Sequence, residues 1–331
     1  MRVLITGGAG YVGSHVCFAL REAGHHPVVF DNLLRGHQQV VDRLEVPFIE
    51  GDLCQPGDIE RAMRHGDFDA VIHAAAVNHA GESMRDPGLY YSINVSGTQR
   101  LLDAMRAVAC RRLIYASSAA VYGAPSSTPV SEDAPKAPLS PYGHTKLACE
   151  NMIRSYASAY RLEALCLRYF SVAGAQPEAG LGERREREIH LIPNLLKAAA
   201  GELRSAVIFG SDYDSTDGTC VRDFMHVLDL ARLHLLALER LDGLGAATLN
   251  VGSGQGRSVL DVIDAVERVT GQNLDVTRAP RRAGDAPRLV ASTTRATKLL
   301  GFSAEHSLDD MVSSAWSFQR ARPTPRGRPP S

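Results

Sequence analysis

No run of about 18 apolar residues, the length a helix needs to cross a bilayer, occurs in the 331-residue chain. Its most apolar later segment, Val227 to Leu241, is interrupted by Asp229, Arg232, Glu239 and Arg240. Excess charge is also missing: 36 Lys+Arg oppose 37 Asp+Glu. The chain therefore has no broad electrostatic footprint for nucleic acid or an anionic membrane, and neither is expected as a partner. No basic region and apolar run precede a cleavage site, because Met1-Arg2 leads straight into Val3-Leu4-Ile5-Thr6, which reads as a buried strand. A cytoplasmic location is expected. The six cysteines are scattered without a Cys-x-x-Cys pair, so neither a zinc site nor a disulfide framework is expected, only small buried thiols. The 12 histidines form no His-x-x-x-His helix motif with acidic partners, and no metal is expected. No internal repeat is present.

What the chain does have is an alternation of short apolar runs with segments of helical period, the pattern of a parallel sheet with crossover helices. Strands are expected at Arg2–Thr6, Pro27–Asp31, Pro47–Glu50, Ala70–Ala75, Arg112–Ser117 and Leu162–Arg168. Between the first two, Val12, Val16, Leu20 and Ala23 follow helical spacing, and Gly24 supplies a stop. A longer helix is expected over Pro141–Tyr160: Ser140 is a good N-cap, Pro141 suits the first helical position, and Leu147, Met152, Ile153, Tyr156 and Tyr160 can share a face. After Arg168 the alternation decays. The run Glu183-Arg184-Arg185-Glu186-Arg187-Glu188 reads as a solvated loop or helix start rather than a binding patch. Further elements at Ala206–Phe209, Val227–Arg240, Ala247–Val251 and Val259–Val269 suggest a smaller lobe that sends elements back to the first. The last residues, 321–331, are rich in Pro and Arg without periodicity and read as a disordered tail.

Thr6-Gly7-Gly8-Ala9-Gly10-Tyr11-Val12-Gly13 lies where the first strand should turn into a helix. Glycines at this spacing let backbone N–H groups and the positive helix terminus approach a diphosphate. Asp31 ends the next strand 18 positions after Gly13, close to the ~20 expected of a carboxylate on an adenosine ribose. It would accept from a 2′-hydroxyl and repel a 2′-phosphate, which favours NAD over NADP. Arg35 is the nearby residue that argues the other way. Asp52-Leu53, after the third strand, can contact adenine, although Asp52 could equally cap the following segment. The fold class is thus α/β: a Rossmann-type doubly wound parallel sheet over residues 1–168, joined by elements near 222–240, with a smaller mixed α/β lobe over 169–320.

Tyr142 and Lys146 stand four apart on the expected helix, hence on one face. A free tyrosine has a pKa of about 10, and each unit by which it is lowered requires about 1.4 kcal/mol of stabilisation of the phenolate. An ammonium and an oxidised nicotinamide could supply that field. Ser117-Ser118 end the strand just before this helix, where α/β sheets place ligands. Ser118 is the candidate to position a substrate alcohol.

With these residues in hand the sequence resembles the extended short-chain dehydrogenase/reductases and, within them, the UDP-glucose 4-epimerase family, over residues 1–318. The resemblance is carried by the glycine segment, Asp31-Asn32-Leu33, Gly51-Asp52-Leu53, Gly81-Glu82-Ser83, residues 117–123, Ser140-Pro141-Tyr142-Gly143-His144-Thr145-Lys146 and Leu167-Arg168-Tyr169-Phe170. More specific are 209–213, 217–227 and 279–285, which resemble nucleotide-sugar segments. The resemblance implies that Tyr142 takes the proton of the sugar 4-hydroxyl while NAD reversibly accepts a hydride from C4. The 4-keto sugar then turns over and is reduced on its other face. It further implies catalytic roles for Tyr142, Lys146 and Ser118, and cofactor contacts from Gly7, Gly10, Tyr11, Val12, Gly13, Asp31, Asn32, Asp52, Leu53, Ala74, Ala75, Asn94, Tyr142, Lys146 and Tyr169. Substrate contacts are implied for Ser118, Tyr142, Ser171, His190, Leu191, Phe209, Arg222, Arg282, Asp285 and Leu289. In that set Arg222 and Arg282 hold the diphosphate, Asp285 the uridine ribose, and Phe209 with Leu191 flank the uracil. A homodimer through the helices around Ser92–Met105 and Pro141–Tyr160 is also implied.

The sequence departs from the family pattern at three places. Asn78 stands where a Lys is usual, which weakens expected cofactor retention; Ser171 stands where an Asn contacts the nucleotide sugar; and Leu289 occupies the position beside the sugar 2-substituent. Three other readings stay open beside interconversion of UDP-glucose and UDP-galactose. One is a 4-epimerase of another nucleotide sugar, carrying an N-acetyl group, a carboxylate or a pentose. A 4,6-dehydratase would need an Asp-Glu pair where Ala119 and Ala120 stand. A non-catalytic sensor of cofactor or sugar would be expected to have lost Tyr142 or Lys146.

Overall fold

The computed structural model describes residues 1–185, 188–282 and 285–321. Glu186 and Arg187 of the charged run, Ala283 and Gly284 of the 279–285 segment, and 322–331 of the expected tail lie outside the described residues. Ala321, placed in that tail by composition, is instead the last residue of a helix, because the amphipathic pattern that buries Met311, Val312 and Phe318 carries that far.

The first half contains strands β1 (Arg2–Thr6), β2 (His26–Asp31), β3 (Phe48–Glu50), β4 (Ala70–His73), β5 (Arg112–Ser118) and β6 (Glu163–Tyr169). Between them lie helices α1 (Tyr11–Glu22), α2 (Gln38–Leu44), α3 (Asp58–Gly66), the single turns α4 (Ala80–Ser83) and α5 (Pro87–Tyr90), α6 (Gly97–Ala107) and α7 (Pro141–Tyr160). The second half holds β7 (Ser171–Ala173), α8 (Leu191–Ala199), β8 (Ala206–Phe209), β9 (Val221–His226), α9 (Val227–Glu239), β10 (Ala246–Val251), β11 (Gly256–Ser258), α10 (Val259–Thr270), β12 (Val276–Ala279), β13 (Arg288–Leu289), α11 (Thr294–Leu300) and α12 (Leu308–Ala321).

Among the described residues the main sheet has seven strands in the order β10-β6-β5-β4-β1-β2-β3, all parallel. Side chains alternate between its faces. Val3 and Ile5 pack with Val16 and Leu20 of α1 and Leu230 and Ala237 of α9. Leu4 packs on the other side with Ile59 and Met63 of α3 and Leu101 and Met105 of α6. Such two-faced burial is what makes the strands near-continuous apolar runs. The chain order reverses between β1 and β4, so the crevice beyond the carboxyl ends of those strands is where such a sheet places a ligand. The return of the second half to this sheet includes α9, which packs on α1, and extends to β10, the edge strand beside β6.

The smaller lobe carries a second sheet, in which β9 pairs in parallel with β7 and β13 and antiparallel with β11, and a parallel pair β8-β12. Its core joins α8, α10 and α12 through Leu195, Leu196, Val262, Val266 and Val312.

Candidate active site

The first wall of the crevice is the glycine turn. Gly7 has φ +74, and a Cβ there would lie 2.6 Å from the Ala75 nitrogen. A Cβ on Gly13 would lie 2.2 Å from the Gly7 carbonyl oxygen. Only glycine lets the turn close this tightly against Ala74 and Ala75, and the N–H groups of Gly7, Ala9 and Gly10 are spent inside it, on the Phe30 carbonyl, Asp31 and the Gly7 carbonyl. No side chain caps the start of α1 after Gly10, so Tyr11, Val12 and Gly13 present a helix N-terminus suited to a diphosphate. The donor set thus fits a dinucleotide. β4 ends at His73 rather than Ala75 because Ala74 and Ala75 leave the ladder to face this turn, Ala74 still donating to the Thr6 carbonyl at 3.0 Å.

Asp31 is buried and accepts from the backbone N–H of Ala9 at 3.0 Å and of Leu33 at 2.8 Å. Burial pushes its pKa up, against those N–H groups, which pull it down. Asn32 accepts from Leu34 N–H, and Asp52 accepts from Cys54 N–H, the local turn-capping use the sequence allowed. Arg35, the residue that argued for a 2′-phosphate, is paired with Glu82 at 3.0 Å. Leu53 is buried, with its carbonyl accepting from Arg100. Asn94 is buried with its amide engaged inside the protein: it exchanges two 3.0 Å hydrogen bonds with the backbone of Val77 and donates to Thr145 Oγ1. It thereby ties the loop after β4 to α7.

Ser140 caps α7, accepting from Gly143 N–H at 3.3 Å, and Pro141 occupies the first turn as its fixed φ favours. Ser83 accepts from the Tyr142 N–H at 3.1 Å, which fixes where the helix enters. Tyr142 is half-buried, and its ring meets Tyr90 edge to face at 6.3 Å. Burial raises its pKa; the Ser118 hydroxyl and then the charge of Arg185 lower it. Ser118, last residue of β5, also accepts from Ala120 N–H.

Lys146 is buried, with Nζ donating to the Ala116 carbonyl at 2.7 Å and lying 4.9 Å from the Tyr115 ring centroid. Burial pushes its pKa down to about 8. The ammonium expected to act on Tyr142 is drawn to the end of β5, and the groups that lower the phenol are Ser118 and Arg185. Tyr169 closes the floor, its hydroxyl 2.8 Å from His234 Nε2. His234 Nδ1 faces the Leu230 carbonyl at 2.8 Å and must be the protonated nitrogen, so Tyr169 is the donor.

On the other side, Arg282 lies over the Phe209 ring, 3.7 Å from its centroid, and Arg222 approaches Asp285 at 3.7 Å. Leu289 pairs with Arg222 in the sheet and packs with Ala119, Tyr122 and Phe170, while Ser171 pairs with Phe224, further along β9. The sequence-chosen residues Phe209, Arg222, Arg282, Asp285 and Leu289 thus form one linked group. His190 Nδ1 approaches Glu183 at 2.7 Å, and Leu191 packs against the core that holds Ile208, the neighbour of Phe209 in β8.

Two features are not apparent from the sequence. The charged run is not simply solvated: the Glu183 side chain is enclosed and accepts from Arg185 Nε, with His190 Nδ1 at 2.7 Å, and although burial raises its pKa these two neighbours hold it below the usual range. Behind Ser118 lies a buried network in which Arg168 donates to Glu150 at 2.9 and 2.7 Å and to the Tyr122 hydroxyl at 2.7 Å. Ser117 donates to the same carboxylate at 2.5 Å.

Residues 3–252 match the NAD dependent epimerase/dehydratase family. The chain is 42% identical over 325 residues, 98% of its length and 97% of the relative's, to the UDP-glucose 4-epimerase of Halalkalibacterium halodurans. It belongs to the UDP-glucose 4-epimerase family. Among solved structures it resembles the Stenotrophomonas maltophila UDP-glucose 4-epimerase with bound NAD and formylated UDP-arabinopyranose, with a TM-score of 0.94 and 39% identity, covering 97% of this chain and 98% of that one. The Bifidobacterium longum UDP-glucose 4-epimerase in complex with NAD+ and UDP gives 0.93 and 36%, with the same two coverages. The epimerase fold of this family is therefore the Rossmann-type sheet described above, and NAD is its cofactor.

Proposed function

We propose that the protein interconverts UDP-glucose and UDP-galactose through a 4-keto intermediate. The observation that carries this reading is the placement of Ser118 at the carboxyl end of β5 and of Tyr142 in the first turn of α7, where Gly143 abuts Ala120, on the same edge of the sheet as the glycine cradle after β1. NAD, when bound, supplies reversible hydride acceptance at the sugar C4. Ser118 orients the 4-hydroxyl, and Tyr142 takes its proton and later returns it. Lys146, with its pKa near 8, holds the nicotinamide ribose and stiffens the floor under Tyr142. Tyr169 backs the nicotinamide. Asp31 keeps the ribose end of the cradle in shape, Asp52 and Leu53 form its adenine side with Asn32 beside them, and Asn94 supports the cofactor by holding the loop after β4 against α7. Arg222 and Arg282 donate to the substrate diphosphate, Asp285 takes the uridine ribose, and Phe209 with Leu191 hold the uracil. Ser171, His190 and Leu289 border the sugar. Dehydration lacks its acid and base because the methyl groups of Ala119 and Ala120 can neither give nor take a proton.

A homodimer through the outer faces of α6 and α7, where Tyr160 is exposed, and a cytoplasmic location belong to the same proposal. Among the described residues no helix is long and apolar enough to cross a membrane.

The test is incubation of purified protein with UDP-glucose, UDP-galactose, UDP-N-acetylglucosamine and UDP-glucuronate in turn, with and without added NAD, followed by NMR of the sugar. Interconversion of the first two is expected. Turnover of the N-acetyl sugar or the glucuronate with UDP-glucose left inert would move the substrate while leaving the site roles in place.

A further inference from the structure

The segment after β7 crosses back to the first lobe. The Arg184 carbonyl faces His37 Nε2 at 3.1 Å, and the terminal nitrogens of Arg185 both lie 3.4 Å from Asn78 Oδ1. Arg185 is aimed by Glu183, which accepts from its Nε at 2.7 Å and is itself buried. Fixing Nε leaves the terminal nitrogens directed away from the carboxylate, and their partner Asn78 is neutral, at the long limit of a hydrogen bond. The guanidinium is close enough to Tyr11, in the glycine turn, and to Tyr142 for its charge to act on both. Asn78 lies in the loop after β4 that begins with Ala74 and Ala75, the two residues closed against Gly7, so the guanidinium stands over the carboxyl end of β4 on the side of the glycine turn.

We propose that Arg185 is a clamp for the dinucleotide diphosphate: a cation carried across the crevice by the second lobe, pre-set by Glu183, and donating to the phosphate oxygens from the side opposite the glycine turn. This rests on the reading of the crevice as a dinucleotide site. The alternative source of the same chemistry, the diphosphate of the nucleotide sugar, is less favoured because two other arginines, Arg222 and Arg282, already stand together with Asp285 in the second lobe. A guanidinium satisfies a diphosphate as a fork of parallel N–H donors, which an ammonium reproduces only in part. The clamp also couples the lobes, because the strap that bears Arg185 continues to His190 at the start of α8.

The experiment is calorimetric titration of cofactor-stripped protein with NAD, and separately of NAD-loaded protein with UDP, for wild type, Arg185→Gln and Arg185→Lys. Expected is a loss of NAD affinity of about tenfold or more in Arg185→Gln, partial recovery in Arg185→Lys, and a shallower salt dependence of NAD binding. UDP affinity of the loaded protein should stay within about twofold. Glu183→Gln, which leaves the cation but removes its aim, should weaken NAD by a smaller factor, so the effect does not depend on one variant's folding. NAD affinity unchanged in Arg185→Gln overturns the clamp while leaving the functional reading intact. A loss confined to UDP assigns the residue to the nucleotide sugar and also overturns it. Failure of wild type to bind NAD overturns both readings.

Discussion

Tyr142 carries the sharpest prediction at the scale of single residues. Its phenol is raised by burial and lowered by Ser118 and Arg185, so it is a group whose proton is held by a balance of local contacts. Tyr142→Phe removes the proton acceptor and leaves the ring, its packing on Tyr90 and the helix entry at Ser83 in place. NAD binding should be retained and turnover should fall by roughly 10²–10⁴-fold, the usual range for a lost general base. Initial rates with UDP-glucose at saturating NAD check this, and a near-normal rate would remove Tyr142 from the role. The residue pattern alone makes Tyr142, Lys146 and Ser118 visible, because spacing on a helix and position at a strand end are local properties. What spacing does not reveal is that the Lys146 ammonium is committed to the Ala116 carbonyl, since a long flexible side chain reaches partners that its own helix does not announce.

Helix α7 is legible in the sequence from end to end, Pro141 to Tyr160, because the signals that start it, Ser140 and Pro141, are local and because an apolar stripe sustains it. The strap at 181–185 is not legible for the opposite reason. A run of alternating charges looks solvated in one dimension, and only the fold shows that the Glu183 side chain is enclosed beside Arg185 and His190 of its own segment. The anchoring of α7 is equally non-local. Glu150, one turn beyond Lys146, meets Arg168 of β6 with both side chains almost wholly enclosed. Arg168 reaches on to the Glu132 carbonyl, and Tyr122 donates to Asn250 of β10 at 2.6 Å. Removing one partner of such a pair leaves a buried charge uncompensated and typically destabilises by about 3–5 kcal/mol. Glu150→Gln should therefore lower the urea midpoint strongly. The double variant Glu150→Gln with Arg168→Met should recover part of the loss, because the buried charge itself is gone. Additive losses in that cycle would show that the pair does not act as a unit.

Acid sensitivity belongs to the whole molecule, because its causes are spread through both faces of the sheet. His15, His226 and His234 are pushed down to about 4 and His73 to about 3, in each case chiefly by burial. Their placement is specific. His73 lies between the hydroxyls of Thr6 and Thr98, at 2.6 and 2.9 Å. Thr98 donates to the Asn94 carbonyl, so His73 Nε2 is the protonated nitrogen and Nδ1 accepts from Thr6. His15 sits on α1, and His226 and His234 bracket much of α9, the helix through which the second half of the chain returns onto the first. Unfolded, all four would titrate near 6.5. As the pH falls below that value the unfolded chain binds protons that the fold refuses, so stability drops by about 1.4 kcal/mol per pH unit for each histidine that stays neutral. The drop continues until the folded pKa values are reached. Asp31 and Asp223 act in the opposite sense, since burial raises their folded pKa values and the fold then takes up protons first. Their contribution begins only nearer the carboxylate range, so it does not offset the histidines at the start of the fall. The urea midpoint should therefore decline steeply between about pH 6.5 and 4. His73→Gln, whose amide can still donate and accept, should flatten that slope by roughly one proton whatever it does to stability at neutral pH. A midpoint that stays level from pH 6.5 to 5 in the wild type would mean that these histidines are charged in the fold, with both ring nitrogens of each donating, and the acceptor role of His73 Nδ1 toward Thr6 would fall with it.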